Sequence, residues 1–215
     1  MSFIVENTAP DSKYKTVPPG NHLGRCYRIV DLGTQKSEYQ GEVKLRREVL
    51  INWELHGKDD DGNPLVTEDE RPLSISRTYT LSWSENSNLR KSLQSWRGKP
   101  WTDKEVMRFD LKNILGQWAM ITVVHRESKN GKTYANVDNL APVPSIIKQH
   151  GLPQGFNEPT MFKLAEPDWA LYDTLGKRLQ ETIALSPEYA AAKRGPAPTT
   201  SSGSGFDDME DDMPF

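Results

Sequence analysis

The sequence predicts a mainly β fold: a five-stranded barrel in the order β-β-β-α-β-β, followed by C-terminal helices and a disordered acidic tail. Three observations predict it. From Pro18 to about Val143, apolar and polar residues alternate in short runs broken by Gly, Asn, Asp and Pro, the pattern of half-buried strands joined by turns. From about Pro167 to Lys193 the apolar spacing lengthens, and Trp169, Tyr172, Leu175, Leu179 and Ile183 fall three or four apart, on one helical stripe. Beyond it, Gly195 to Gly205 is a Pro/Gly/Ser/Thr linker that cannot bury enough surface to order itself.

The elements follow in order. The first strand is placed at about Leu23 to Leu32, the second at Arg46 to Leu55 and the third at Leu73 to Trp83. In the third, Leu73, Ile75, Tyr79 and Leu81 alternate with Ser74, Ser76, Thr78, Thr80 and Ser82, so one face is apolar and the other small and hydroxylic. Ser87 to Trp96 reads as a helix with Leu89, Leu93 and Trp96 on one stripe, and Asp103 to Leu115 as a candidate second one. The fourth strand is Trp118 to Arg126. Asn130-Gly131, between Lys129 and Lys132, supplies the positive φ values of a tight turn, and Thr133 to Leu140 is the fifth strand. This is the element order of the oligonucleotide-binding (OB) barrel, an order that other small barrels share. Ser186-Pro187-Glu188 opens a second short helix after the first. The chain divides into an N-terminal arm (1–17), an OB domain (18–150), a helical extension (151–194), a linker (195–205) and an acidic tail (206–215).

Composition bounds the function. A length of 215 residues fits one domain with appendages. Cys26 is the only cysteine, so no internal disulfide forms, and His22, His56, His125 and His150 are too scattered for a zinc cluster. Residues 1–19 hold no apolar core of signal-peptide length, and no later run reaches membrane-span length; a cytoplasmic protein with no membrane partner is expected. The acidic loop Gly57 to Pro72 matches a calcium loop only in part, with Gly57 at the place that demands an acid, and reads as a solvated connection without metal. No constellation of catalytic residues stands out, so no enzyme and no cofactor are expected.

The net charge of −3 hides a segregation. The last ten residues carry Asp207, Asp208, Glu210, Asp211 and Asp212 and no base, so the remainder stands at +2. A basic body with aromatic residues suits unpaired nucleic acid, which offers a charged backbone and exposed π-faces. OB barrels place ligand across the second and third strands and the loops joining strands one to two and four to five. On that map Lys36, Lys44, Arg46, Arg77, Arg126, Lys129 and Lys132 are candidates for phosphates, and Tyr39, Tyr79, Trp83 and Tyr134 for stacking on bases. Trp53, Trp96 and Trp118 read instead as packing residues.

The end of the chain is the sharpest motif. Asp211-Asp212-Met213-Pro214-Phe215 joins carboxylates to an aromatic ring and a terminal carboxylate, which suits an apolar pocket rimmed by Arg or Lys. Phe206 to Phe215 resembles the acidic tip of bacterial single-stranded DNA-binding proteins, with Met213 at the usual aliphatic place. In that family the tip docks onto replication and recombination proteins: helicases, polymerase-associated subunits, nucleases and recombinase mediators. Gly20 to Gln35, Leu89 to Gly98 and Tyr134-Ala135-Asn136-Val137 are similar instead to a group of bacteriophage proteins held to be OB-fold single-stranded DNA binders. That second likeness spans most of residues 18 to 190. Together they imply a sequence-tolerant single-stranded DNA binder of replication, recombination or repair, with the tail recruiting partners. The tail is also expected to reach the barrel's basic groove and compete with DNA. A strand-annealing recombination protein and a protein-binding adaptor remain as alternatives, and assembly into a homo-oligomer stays open.

Overall fold

Alternating apolar residues give strands, and in a computed structural model describing residues 15–39, 42–128 and 130–194 they build one antiparallel sheet. Its members are β1 (Gly20–Tyr39), β2 (Glu42–His56), β3 (Ser74–Thr80), β4 (Trp118–Glu127) and β5 (Thr133–Ala141), in the order β3-β2-β1-β4-β5. A sixth strand, β6 (Thr160–Phe162), unanticipated from the sequence, pairs parallel with Arg28–Val30 of β1. β1 bends through register shifts at Cys26/Arg28 and Asp31/Gly33, as bulges do. It can therefore serve β4 over Gly20–Arg25 and β6 beyond. Both β1 and β2 run longer than the sequence reading, because their far ends form a two-stranded arm reaching Tyr39 and Glu42.

The sheet is not closed by a ladder. Its end strands β3 and β5 meet instead through the Arg77 side chain, whose Nη1 donates to the carbonyls of Val137 (3.0 Å) and Asp138 (3.1 Å). The inner face buries Ile29, Ile51, Trp53, Leu55, Ile121 and Leu140. α1 (Asn88–Arg97) lays Leu89, Leu93 and Trp96 onto that core, as its spacing requires. The expected helix from Asp103 to Leu115 is broken. α2 (Asp103–Met107) stops where Arg108 is extended, and Asp110 caps a separate 3₁₀ turn (Leu111–Ile114) through Lys112 N at 2.8 Å. Leu81, expected on the buried face of the third strand, lies past the end of β3 and is 42% exposed.

The helical extension is three helices and not two, after a short α3 (Ser145–Gln149). Gly176 divides the predicted stripe into α4 (Trp169–Asp173) and α5 (Lys177–Ala184), and Pro187 begins α6 (Pro187–Arg194). The three-and-four spacing survives the break, so Tyr172, Leu175 and Ile183 still point one way. They meet Val30, Leu32, Phe162 and Leu164 in a second core, on the face of the sheet opposite the first. Each such aliphatic or aromatic side chain gains about 1.5–3 kcal/mol on full burial.

A buried carboxylate fixes this docking. Glu54, fully buried on β2, accepts from Phe156 N (3.0 Å), Asn157 N (2.7 Å), Asn157 Nδ2 (2.6 Å) and Arg25 Nη1 (3.3 Å), with His56 Nε2 at 3.2 Å. Arg25 Nη1 also donates to Asn157 O at 3.0 Å. Residue 155 must be glycine for this, since a Cβ there would overlap the Arg25 guanidinium. At the other end, Gly33 has φ 71 and lies so close to Ser186 that no Cβ fits, while Thr34 donates to Glu188 from N (2.8 Å) and Oγ1 (2.6 Å). The extension is thus tied at both ends to one strand pair.

Burial alone pushes the Glu54 carboxyl up, but the bonds from Asn157 and Phe156, with the His56 ring close by, outweigh it and hold it below its ordinary value. A depressed folded value means the contribution is complete above the ordinary carboxylate range, about 4.3, and is lost as pH falls below that range. Removing one partner of such a buried group costs about 3–5 kcal/mol. Glu54→Gln is therefore expected to lower the melting temperature at pH 7 by on the order of 10 °C and to flatten its decline between pH 5 and 3. Parallel melts of both chains that fall alike in acid would remove Glu54 from this role.

Candidate nucleic-acid interface

The alternation of the third strand puts Ser76, Thr78 and Thr80 on the outside of the sheet, with Asn52, Leu50 and Glu48 opposite them on β2. α5 stands beside this surface. Between them lies a groove of about 900 Å³, floored by Leu32, Leu50 and Leu179 and edged by Ser76, Asn136, Tyr134, Arg77, Lys177 and Arg178. A second groove, about 670 Å³, continues from Arg77 and Thr78 along β3 to Arg46 and to the Ser82–Asn88 segment before α1. The two share Arg77 and Thr78, so they form one track along β3. Four cations, Arg46, Arg77, Lys177 and Arg178, face it against one acid, Glu48. Tyr134 is its exposed ring, at 47%. An apolar floor, small hydroxyls and flanking cations allow ring stacking and phosphate contact without a fixed code.

The structure unites some of the predicted residues and disperses others. Arg46, Arg77 and Tyr134 line the track. Lys36 and Lys44 lie on the β1–β2 arm, where Lys44 Nζ pairs with Glu42 at 3.0 Å. Tyr39 ends β1 opposite Glu42, with its side chain outside the described residues. Lys132 is exposed at the β4–β5 hairpin, and Arg126 there sits 3.5 Å from Asp138. Lys129 and the tail residues Asp207, Asp208, Asp211, Asp212, Met213, Pro214 and Phe215 lie outside the described residues.

Two stacking candidates are corrected. Tyr79 is 3% exposed and packed in the first core, with Arg77 over its ring at 5.1 Å, because it shares the inward parity of Ile75. Trp83 is committed to an aromatic cluster: it stacks on Phe109 (5.2 Å between centroids, 11° between planes) and meets Trp101 edge-on at 4.9 Å. Trp83 does not line the track, and Tyr79, which borders the second groove, is too deeply buried to offer its ring to a base. Trp53 and Trp96 pack in the first core, as read from the sequence, and Trp118 is half-buried against His56.

Lys177 and Arg178 escaped the sequence reading. They follow Gly176 on a helix whose polar side looked like ordinary solvated surface, and only the docking of α5 turns them toward β3. Asn136 and Leu50 escaped for the same reason. Among the described residues no three His, Cys, Asp or Glu side chains are placed to hold one metal ion, and no helix is long and apolar enough to cross a membrane. In the acidic loop, Asp59 is occupied by its own turn, accepting from Asn63 N (2.7 Å) and Asp61 N (3.1 Å). Burial pushes the Cys26 thiol up to about 12, which leaves it unreactive. No protein-family model matches the chain, and no curated protein matches it.

Arg77 has a structural task besides its place in the track. Hydrogen bonds from a charged donor contribute about 1.5–3 kcal/mol each, so Arg77→Ala is expected to destabilise the chain by at least that amount, whereas Lys132→Ala, on exposed surface, stays within about 0.5 kcal/mol of the parent. Urea unfolding of the two variants checks this; an Arg77→Ala midpoint equal to the parent's would deny the seam between β3 and β5.

Proposed function

We propose that this protein binds and protects single-stranded DNA with little regard to sequence, in replication, recombination or repair, and recruits partner proteins through residues 206–215. It does so without catalysis, as a cytoplasmic protein of bacteriophage type. The observation that carries the reading is the track: two grooves joined at Arg77 and Thr78, with four cations on its walls and Tyr134 exposed within it.

The finer fold belongs to this reading too. An OB barrel carries its ligand over the second and third strands, and the track runs along β3 beside β2. The element order and the Arg77 seam, which brings β3 to β5, support that assignment. In this protein the helical extension covers part of the sheet's outer face, so ligand is confined between α5 and β3. That confinement favours a flexible single strand over a stiff duplex. Phosphates meet Arg46, Lys177 and Arg178; a base stacks on Tyr134.

Oligo(dT) of thirty nucleotides should quench tryptophan emission or raise the anisotropy of a labelled strand, with affinity falling steeply as salt rises. Replacing both Lys177 and Arg178 by Ala should reduce the slope of log K against log salt by about 1.4, at about 0.7 per lost phosphate contact on a single strand. Tyr134→Ala should cost about 1–3 kcal/mol of binding, the worth of one stacked base. Trp83→Phe should change neither. Binding that is absent at 20 mM salt, or indifferent to Lys177, Arg178 and Tyr134, would refute the proposal.

A further inference from the structure

A pocket of about 360 Å³ opens between α1, α2 and the start of β4, lined among others by Trp96, Trp101, Phe109, Trp118, Arg97 and Lys148. It shares no lining residue with the track. Its size falls within the range of ligand sites, and its walls set four aromatic rings beside the polar side chains of Arg97, Glu105, Asn113, Gln117 and Lys148. One of those groups is unfinished. Arg97 lies over Trp101 (4.2 Å to the ring centroid) and gives Nη2 to Glu105 Oε1 at 2.7 Å, but its buried Nη1 has no partner among the described residues. Glu105 is itself engaged by Arg97 and by Thr102 N at 2.9 Å and is held down to about 2, so it keeps Nη2 occupied at every ordinary pH. A buried guanidinium N–H without an acceptor is costly, because water no longer satisfies it. The chemistry that completes this pocket is an apolar or aromatic group carried next to a carboxylate, with Lys148 adding a second cation at the rim.

The same chain carries that chemistry. Residues 206–215 hold two phenylalanines, two methionines and five acids, with Phe215 close after Asp211-Asp212. Reach favours it as well. The extension's last tie is at Thr34 and the pocket is lined by Trp118, which pairs with Arg25, nine residues back along β1; straight strand spacing would make that about 30 Å, and the bends of β1 make it less. Phe215 lies twenty-one residues beyond Arg194, and a flexible chain of that length has a root-mean-square end-to-end distance of about 25 Å. A tether whose length matches the span gives nearly the highest effective concentration it can supply, in the millimolar range.

We propose that residues 206–215 dock in this pocket of their own chain, Phe215 against the Trp101 and Trp118 walls and a carboxylate of the Asp211-Asp212 pair on Arg97. The tail is then sheltered from partners while the track stays open to nucleic acid. This departs from the expectation that the tail competes with DNA, and it stands apart from the DNA-binding proposal.

The experiment is an anisotropy titration of the labelled peptide FDDMEDDMPF onto the full-length chain and onto full-length Phe215→Ala, each with and without saturating oligo(dT). Phe215→Ala should take up the peptide at least tenfold more tightly than the parent, whose pocket is already filled. Trp101→Ala made in the Phe215→Ala chain should abolish the uptake, and so should the peptide FDDMEDDMPA, which leaves the fold untouched. Oligo(dT) should leave it unchanged. Equal uptake by the parent and Phe215→Ala would overturn docking in cis, as would a crosslink between copies in place of one within the chain. Displacement by oligo(dT) would put the segment in the track and overturn the assignment to this pocket. Failure of oligo(dT) to bind the parent would count against the DNA reading alone.

Discussion

The hydrogen-bonded carboxylate of Glu54 is the interaction on which the rest of the arrangement depends. It is a charge removed from water, and it is stable there only because Asn157, Phe156 and Arg25 meet it with donors. Those donors belong to the start of the extension and to the strand beside it. By fixing residues 155–157 on β2, Glu54 sets the path that brings β6 against β1, packs α4 and α5 on the second core and leaves the first turn of α5 beside β3. Without that anchor the face of β3 is a flat, hydroxylic surface. With it, the same face is one wall of a groove.

The charge distribution follows the same division of labour. Several acids are consumed internally: Glu54 by the extension, Glu105 by Arg97, Glu188 by Thr34, and Asp31 by Arg47 at 2.6 Å, by Gly33 N and by Leu164 N. Among the described residues Arg46, Lys177 and Arg178 have no such partner, and they face the track. A whole-molecule charge of −3 therefore says little about the field in the groove. What a single strand would meet is the local excess of cations over Glu48.

Much of the fold was legible because it rests on period. Alternation located all five long strands, and Leu89, Leu93 and Trp96 located α1. Long-range choices were not legible. Nothing local to Val30, Leu32 and Leu50 says that they, on the parity opposite to Ile29 and Ile51, would be buried by helices more than a hundred residues away. The three-residue β6 is too short to carry a period. Gly176 left the stripe intact while cutting the helix, so pattern alone joined α4 to α5. The site was legible in the same measure. Arg46, Arg77 and Tyr134 follow from strand order and loop position, whereas Lys177 and Arg178 depend on tertiary docking. Trp83 misled because an aromatic at a strand end looks like a platform until Phe109 and Trp101 are seen to hold it.

The central claim, that the groove between α5 and β3 is where nucleic acid lies, is tested most directly by amide and side-chain chemical-shift mapping of the full-length chain with oligo(dT). The account predicts perturbations concentrated at Ser76, Thr78, Tyr134, Asn136, Lys177 and Arg178. Perturbations centred instead on Trp96, Trp101 and Trp118, or absent from α5, would contradict it.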